Sequence, residues 1–185
     1  GCLSEQEKTD RLAALQSAIT TFKAQGALVY LDGGNARWIP AGTMAERLTQ
    51  AGVSSADGFA LNVSNFFTTE ETTIYGNQIS SQVGNKHFVI DTSRNGLGPY
   101  IYPGNGDAQW CNPPGRALGT PATTETGIET VDAFLWVKTP GESDGVCTEF
   151  GQNDPSAGTM MPEYAVGLAQ RTVWPTPSPT PSPTP

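Results

Sequence analysis

The sequence predicts an α/β fold in which parallel strands are covered by helices. Three observations carry this. Helical and extended patterns alternate along the chain, the extended runs are continuously apolar, and each run stops at a polar residue. Continuously apolar strands are those buried on both faces, as the strands of parallel sheets are.

The elements follow in order. Ser4 to Gln25 reads as a helix: Ser4 is placed to cap it, Glu7 holds the capping-box position, and Leu12, Leu15, Ile19 and Phe22 recur at helical spacing. Ala27 to Leu31 is a short strand ending at Asp32. Ala41 to Ala51 is a second helix, stopped by Gly52. Phe59 to Val63 is a strand whose end carries Asn62 and Asn65. Thr68 to Val83 is a third helix, stopped by Gly84, and Phe88 to Ile90 is a strand ending at Asp91. A Gly/Pro-rich loop runs from Ser93 to about Glu129. Ala133 to Val137 is a fourth strand, ending at Lys138, and Pro162 to Thr172 is a last helix. Four strands do not close a barrel, which takes about eight. A loop of roughly 35 residues is long unless it works. Both features read as part of a larger domain.

The flanks and the charge narrow the classes. WPTPSPTPSPTP, residues 174–185, alternates Pro with Ser and Thr and reads as an extended linker to a further module, leaving 1–173 as the folded unit. The chain starts Gly1-Cys2 without a Met, the start expected of a fragment or processed product. A formal net charge of −8 argues against nucleic acid and anionic membranes as partners. No apolar run is long enough for a membrane-spanning helix. Three cysteines leave one unpaired. Cys111 and Cys147, both in loop sequence at strand edges, are candidate disulfide partners in an oxidising compartment. Cys2 is then an orphan or a buried free thiol.

Polar groups at the C-terminal ends of parallel strands are where α/β enzymes build their sites. LVYLDGGNARW delivers Asp32, Asn35 and Trp38 from one strand end. A carboxylate, an amide and an indole suit a sugar, offering hydrogen bonds to hydroxyls and a flat ring for a pyranose face. The competing reading is a strand-to-helix turn with Trp38 in the core. WCNPPGRALG stiffens a loop around Trp110, either as a stacking platform or as a residue packing that loop down. WVKTPGESDGVC gathers Lys138, Glu142 and Asp144 on one loop, where a nearby Lys favours a charged carboxylate of the kind a general base needs. The competing reading is a solvated turn. The only histidine, His87, opens a strand at the end away from these groups and reads as structural; one His without a Cys/His cluster argues against zinc. There is no Gly-rich phosphate loop and no nucleophile elbow, so neither metal nor cofactor is expected.

Together YLDGGNARW, ALNVSNF, VIDTSRNG, WCNPPGRALG and WVKTPGESDG resemble, in register, the downstream part of glycoside hydrolase family 6, the bacterial and fungal cellulases. The resemblance runs from about Cys2 to Arg171. It implies a distorted parallel β/α barrel, present here as its C-terminal part, and inverting hydrolysis of β-1,4-glucosidic bonds in cellulose or a related glucan. It implies a secreted monomer, with a linker to a cellulose-binding module. Asp144 matches the carboxylate proposed as catalytic base. Lys138 and Glu142 match substrate-binding partners, Asp32 a site carboxylate, Asn65 a sugar-contacting amide, and Trp38 and Trp110 sugar-stacking tryptophans. Cys111 and Cys147 match a disulfide pair that pins the Asp144 loop to the Trp110 loop. Asn35 departs from the pattern, since many members carry His there.

The family's general acid lies upstream of the position matched by Cys2, outside this chain. The chain alone is therefore expected to be nearly inactive, and half a barrel, with exposed sheet edges and apolar faces, is expected to fold poorly. The short loop from Ser93 to Trp110 points to an open, endo-acting cleft. Two other classes compete: a non-catalytic glucan-binding protein that keeps Trp38 and Trp110, and an unrelated α/β protein that binds no saccharide.

Overall fold

The computed structural model describes residues 3–103, 108–150 and 153–174. The elements run α1 (Glu5–Ala24), β1 (Tyr30–Asp32), α2 (Ala41–Gln50), a 3-10 turn (Val53–Ser55), β2 (Gly58–Leu61), α3 (Thr69–Ser80), β3 (His87–Asp91), β4 (Tyr100–Ile101), β5 (Ala108–Gln109), β6 (Val131–Leu135) and α4 (Pro162–Arg171). Strands β1, β2, β3 and β6 form one parallel sheet in that spatial order. The expected fold class is therefore present: four parallel strands, with α2 and α3 joining the first three and the β4–β5 segment lying between β3 and β6.

One face of the sheet carries the core. Leu31, Phe59, Leu61, Phe88, Ile90 and Phe134 pack against Met44 and Leu48 of α2 and Tyr75 and Ile79 of α3. Phe59 and Phe88 stack at 5.2 Å between ring centroids. Each such burial is worth about 1.5–3 kcal/mol. Helix α3 reaches β3 closely because residue 76 is glycine: a Cβ there would lie 2.3 Å from the Phe88 ring. The intervening strand positions carry smaller groups, Ala60, Val89 and Ala133.

Boundaries shift for local reasons. Helix α1 starts as expected: Glu7 N–H donates to the Ser4 hydroxyl and the Glu7 carboxylate accepts from Ser4 N–H. Its apolar face is only partly used, with Ile19 buried but Phe22 55 % exposed. Strand β1 begins at Tyr30 rather than Ala27, because its partner β2 begins opposite Tyr30 and leaves Leu28 unpaired and exposed. Strand β2 ends at Leu61, since Asn62 turns to φ 65. Strand β6 lies two residues earlier than expected, and Lys138 N–H turns out to the Asp91 carboxylate instead of continuing a ladder. The stretch read as loop from Ser93 to Glu129 holds the β4–β5 hairpin and an antiparallel bridge from Thr123 to Phe134. Strands of two residues show no periodicity to read.

His87 opens β3, as expected of a structural residue, with Nδ1 2.8 Å from Asp132 Oδ1. Tyr30 OH donates to the other Asp132 oxygen at 2.8 Å, joining the two outer strands of the sheet. Among the described residues no helix is long and apolar enough to cross a membrane. Cys2, and the tail after Trp174, lie outside the described residues.

Candidate active site

The strand ends of β2, β3 and β6 are knitted together by side chains that the sequence reading placed differently. By sequence Asn62 and Asp91 group with Asp32 and Lys138 as polar strand ends facing a site, yet both are buried. Asn62 donates to the carbonyls of Phe67 and Asp91 and accepts from Phe67 N–H. Asp91 accepts from the N–H groups of Ser93, Ser64 and Lys138 at 2.9, 3.0 and 3.1 Å. These two buried residues fix loop backbones. Buried backbone groups need partners, and here side chains supply them where the ladder stops. Left-handed backbone at Asn62, Ser64 and Asn112, rare outside glycine, concentrates at these same loops.

At the centre lies an ion pair. Arg94, fully buried, donates from Nη1 to Asp144 Oδ2 at 2.8 Å and from Nη2 to Asp144 Oδ1 at 2.9 Å. Nη2 also donates to the Ser64 carbonyl, and the guanidinium lies 4.2 Å from the centre of the Phe66 ring. Such bidentate pairs are the strong, geometrically specific kind. Asn112 N–H adds a third hydrogen bond, to Asp144 Oδ2 at 3.1 Å. Lys138 Nζ stands 3.7 Å from Asp144 Oδ1 and donates to the Ser143 carbonyl. The Asp144 side chain is only 5 % exposed. A carboxylate offers about four acceptor directions. Three are taken, and the remaining one is on Oδ1.

Arg94 and Asn112 are the residues sequence reasoning missed. Both stood inside quoted motifs, VIDTSRNG and WCNPPGRALG. An Arg on the loop after β3 gives no local signal of pairing with an acidic loop 50 positions on.

The expected disulfide is present: Cys111 joins Cys147, with Cα atoms 5.9 Å apart. It fastens the Asp144 loop to the Trp110 loop. The Arg94 loop meets the Trp110 loop at Gly119, where a Cβ would fall 2.0 Å from Asn95 Oδ1 and 2.3 Å from the Thr92 carbonyl. Tyr164 of α4 donates to the Pro113 carbonyl beneath this loop. Burial pushes its phenol up to about 12, with Arg94 and Asp144 exerting opposite pulls on it.

Both candidate stacking residues are open to solvent, Trp38 at 69 % and Trp110 at 56 %. Among the described residues Trp38 is therefore not packed into the core. Asp32 is exposed, accepting from Gly34 N–H, and Asn35 is half-buried, accepting from Arg37 N–H. Asn65 accepts from its neighbour Phe66. The loop after β1 is braced by the 2.6 Å Arg37–Glu71 ion pair. Glu142 is half-buried and its backbone bridges to Met160. The cluster thus joins Arg94, Asn112, Lys138 and Asp144. Among the described residues no hydrogen bond or ion pair links Asp32, Asn35, Trp38 or Glu142 to it. No group of three or more His, Cys, Asp or Glu is arranged to hold a metal ion among the described residues.

Carboxylates, a buried arginine and open indoles thus stand on the loops of an α/β domain. The comparison with known families is specific. The model of glycosyl hydrolases family 6 matches residues 1–172, and the chain belongs to that family. It is 45 % identical over 172 residues to endoglucanase 1 of Streptomyces halstedii, covering 89 % of this chain and 50 % of that one. It is 46 % identical over 165 residues to endoglucanase A of Cellulomonas fimi, covering 89 % and 34 %. Among solved structures, the endoglucanase Cel6 of Mycobacterium tuberculosis superposes with a TM-score of 0.83 at 47 % identity, covering 92 % of this chain and 56 % of that one. Endoglucanase CEL6B of Humicola insolens gives 0.77 at 27 % identity, covering 93 % and 57 %. The chain thus spans half or less of these curated relatives and just over half of the solved chains.

Proposed function

We propose that this chain supplies the water-activating half of an inverting β-1,4-glucanase site acting on cellulose or a related glucan. The observation that carries the reading is the Arg94–Asp144 pair at parallel-strand ends in a family 6 chain. Inversion needs an acid on the leaving oxygen and a base route for water from the opposite face. Asp144 is the candidate base: Arg94, the Asn112 N–H and Lys138 stand against its carboxylate, and one acceptor direction on Oδ1 is left for water. Trp38 and Trp110 are the stacking surfaces for the glucan chain, with Asp32, Asn35, Asn65 and Glu142 contacting sugar hydroxyls. Lys138 acts mainly on the Asp144 loop, since its ammonium already donates within that loop. The named relatives support a glucan substrate; the Mycobacterium protein was solved with a thio-linked cellobioside. Endo action is the preferred mode, since the relatives cited are endoglucanases. The Cys111–Cys147 disulfide fits secretion, and the Pro/Ser/Thr tail fits a linker to a cellulose-binding module.

The test is Asp144→Asn in the full-length gene product, assayed on carboxymethylcellulose with the product anomer read by proton NMR. The expected result is a ~10²–10⁴-fold loss of kcat and an α-anomer from the wild type. Unchanged turnover, or a β-anomer, refutes the reading. One observation favours a second reading: Asp144 is almost wholly engaged and buried. A non-catalytic glucan-binding protein would hold cello-oligosaccharides through Trp38 and Trp110, show no turnover, and be indifferent to Asp144→Asn.

A further inference from the structure

Asp144 is held by more than its arginine. Asn112 is fully buried with φ 42, directly after Cys111. It grips Asp144 twice: its N–H donates to Oδ2 at 3.1 Å, and its Oδ1 accepts from the Asp144 N–H at 2.8 Å. Its amide nitrogen faces the Ser143 hydroxyl, the Gly145 carbonyl and Cys147 Sγ at 3.1, 3.1 and 3.2 Å, and Asp154 Oδ2 at 3.0 Å. Asp154 is itself buried, 7 % exposed. Among the described residues no cation lies within ion-pair distance of it.

The chemistry fixes which way this amide points. The Ser143 hydroxyl donates to Gly145 or Pro155 and so accepts from Asn112. A carbonyl, a disulfide sulfur and a carboxylate also accept. Four acceptors on one side and a single N–H donor on the other leave one orientation. A guanidinium pair alone allows a carboxylate to tilt along the fork. The Asn112 N–H removes that freedom at Oδ2, so the unoccupied direction on Oδ1 is defined.

We propose that Asn112 is a positioning residue for Asp144, and that the buried Asp154 carboxylate holds the Asn112 amide in the orientation that makes this possible. The proposal rests on the reading of Asp144 as the base. Asn112→Asp keeps the shape but sets a carboxylate against Asp154 and the Gly145 carbonyl. Asp154→Asn removes the charge that orients the amide. The double variant Asn112→Asp/Asp154→Asn exchanges donor for acceptor and restores a hydrogen bond between the two positions.

The variants are made in the full-length gene product and assayed on carboxymethylcellulose beside the wild type and Asp144→Asn. Asn112→Asp should lower kcat about 10- to 100-fold, the scale of a misplaced catalytic group, with KM within about threefold. The added negative charge should also move the acidic limb of the kcat/KM–pH profile upward. The double variant should recover at least about tenfold of kcat. The inference is overturned if Asn112→Asp and Asp154→Asn keep kcat near the wild-type value, or if the loss lies in KM alone. It is also overturned if the loss of kcat tracks a lowered Tm and vanishes at assay temperatures well below it. If Asn112→Asp does not fold, Asp154→Asn alone decides by the same criteria. Wild-type turnover by Asp144→Asn would instead refute the assignment of the base, which separates the two failures.

Discussion

Arg94 has no water to fall back on. Its side chain is fully buried and holds Asp144 with two hydrogen bonds and Ser64 with a third. Removing one member of a buried pair leaves an uncompensated charge, costing about 3–5 kcal/mol, whereas replacing both with apolar groups is often neutral. Arg94→Met should therefore lower the Tm of the full-length gene product sharply, and Arg94→Met/Asp144→Leu should recover much of that loss while remaining without turnover. Equal Tm values for the wild type and the single variant would show that Lys138, 3.7 Å from Asp144 Oδ1, already satisfies the carboxylate. Asp144 was legible in the sequence because its loop motif is contiguous. Arg94 was not, because its meaning lies in a partner 50 residues on.

Among the elements, α1 is tied to the sheet by one carboxylate. Asp57 accepts from Lys23 Nζ at 2.7 and 2.9 Å and from Val29 N–H at 2.6 Å, joining the end of α1, the entry to β1 and the start of β2. Hydrogen bonding to Lys23, aided by the Val29 N–H, holds its carboxyl below the ordinary 3.8. A carboxyl lowered in the folded state stabilises above its unfolded value, and that contribution is lost as pH falls through the folded value. Asp57→Asn should thus melt below the wild type at pH 7, with the gap closing under more acid conditions. A gap independent of pH would assign the loss to packing. The elements themselves were largely legible, since apolar runs and caps are local. Their ends were not: Tyr30 starts β1 because Gly58 lies opposite, and Asn62 ends β2 by turning its backbone.

Viewed whole, the molecule has an unfinished side. Among the described residues β1 is an edge strand, and beside it runs a groove of about 530 Å³ between α1 and α2, lined by Leu12, Leu15, Leu31, Trp38 and Met44. An open edge next to an apolar surface invites association. Residues 1–185 produced alone should bind a hydrophobic dye and elute at a size that grows with concentration. A sharp monomer peak without dye binding would show that α1 closes this side unaided.

The sequence by itself determined the alternation of helix and strand, the parallel sheet, the family and most of the sugar-facing candidates, because each depends on residues near one another in the chain. Only the tertiary structure decided which polar strand ends are buried in the fold and which stay open. Asp91 and Asn62 are spent on backbone N–H and carbonyl groups that the ladder leaves unpaired, while Asp144 pairs with the side chain of Arg94 and the N–H of Asn112, each from another loop. A residue's type states what it offers, but its partners are fixed only when parallel strands bring distant loops to the same end of the sheet.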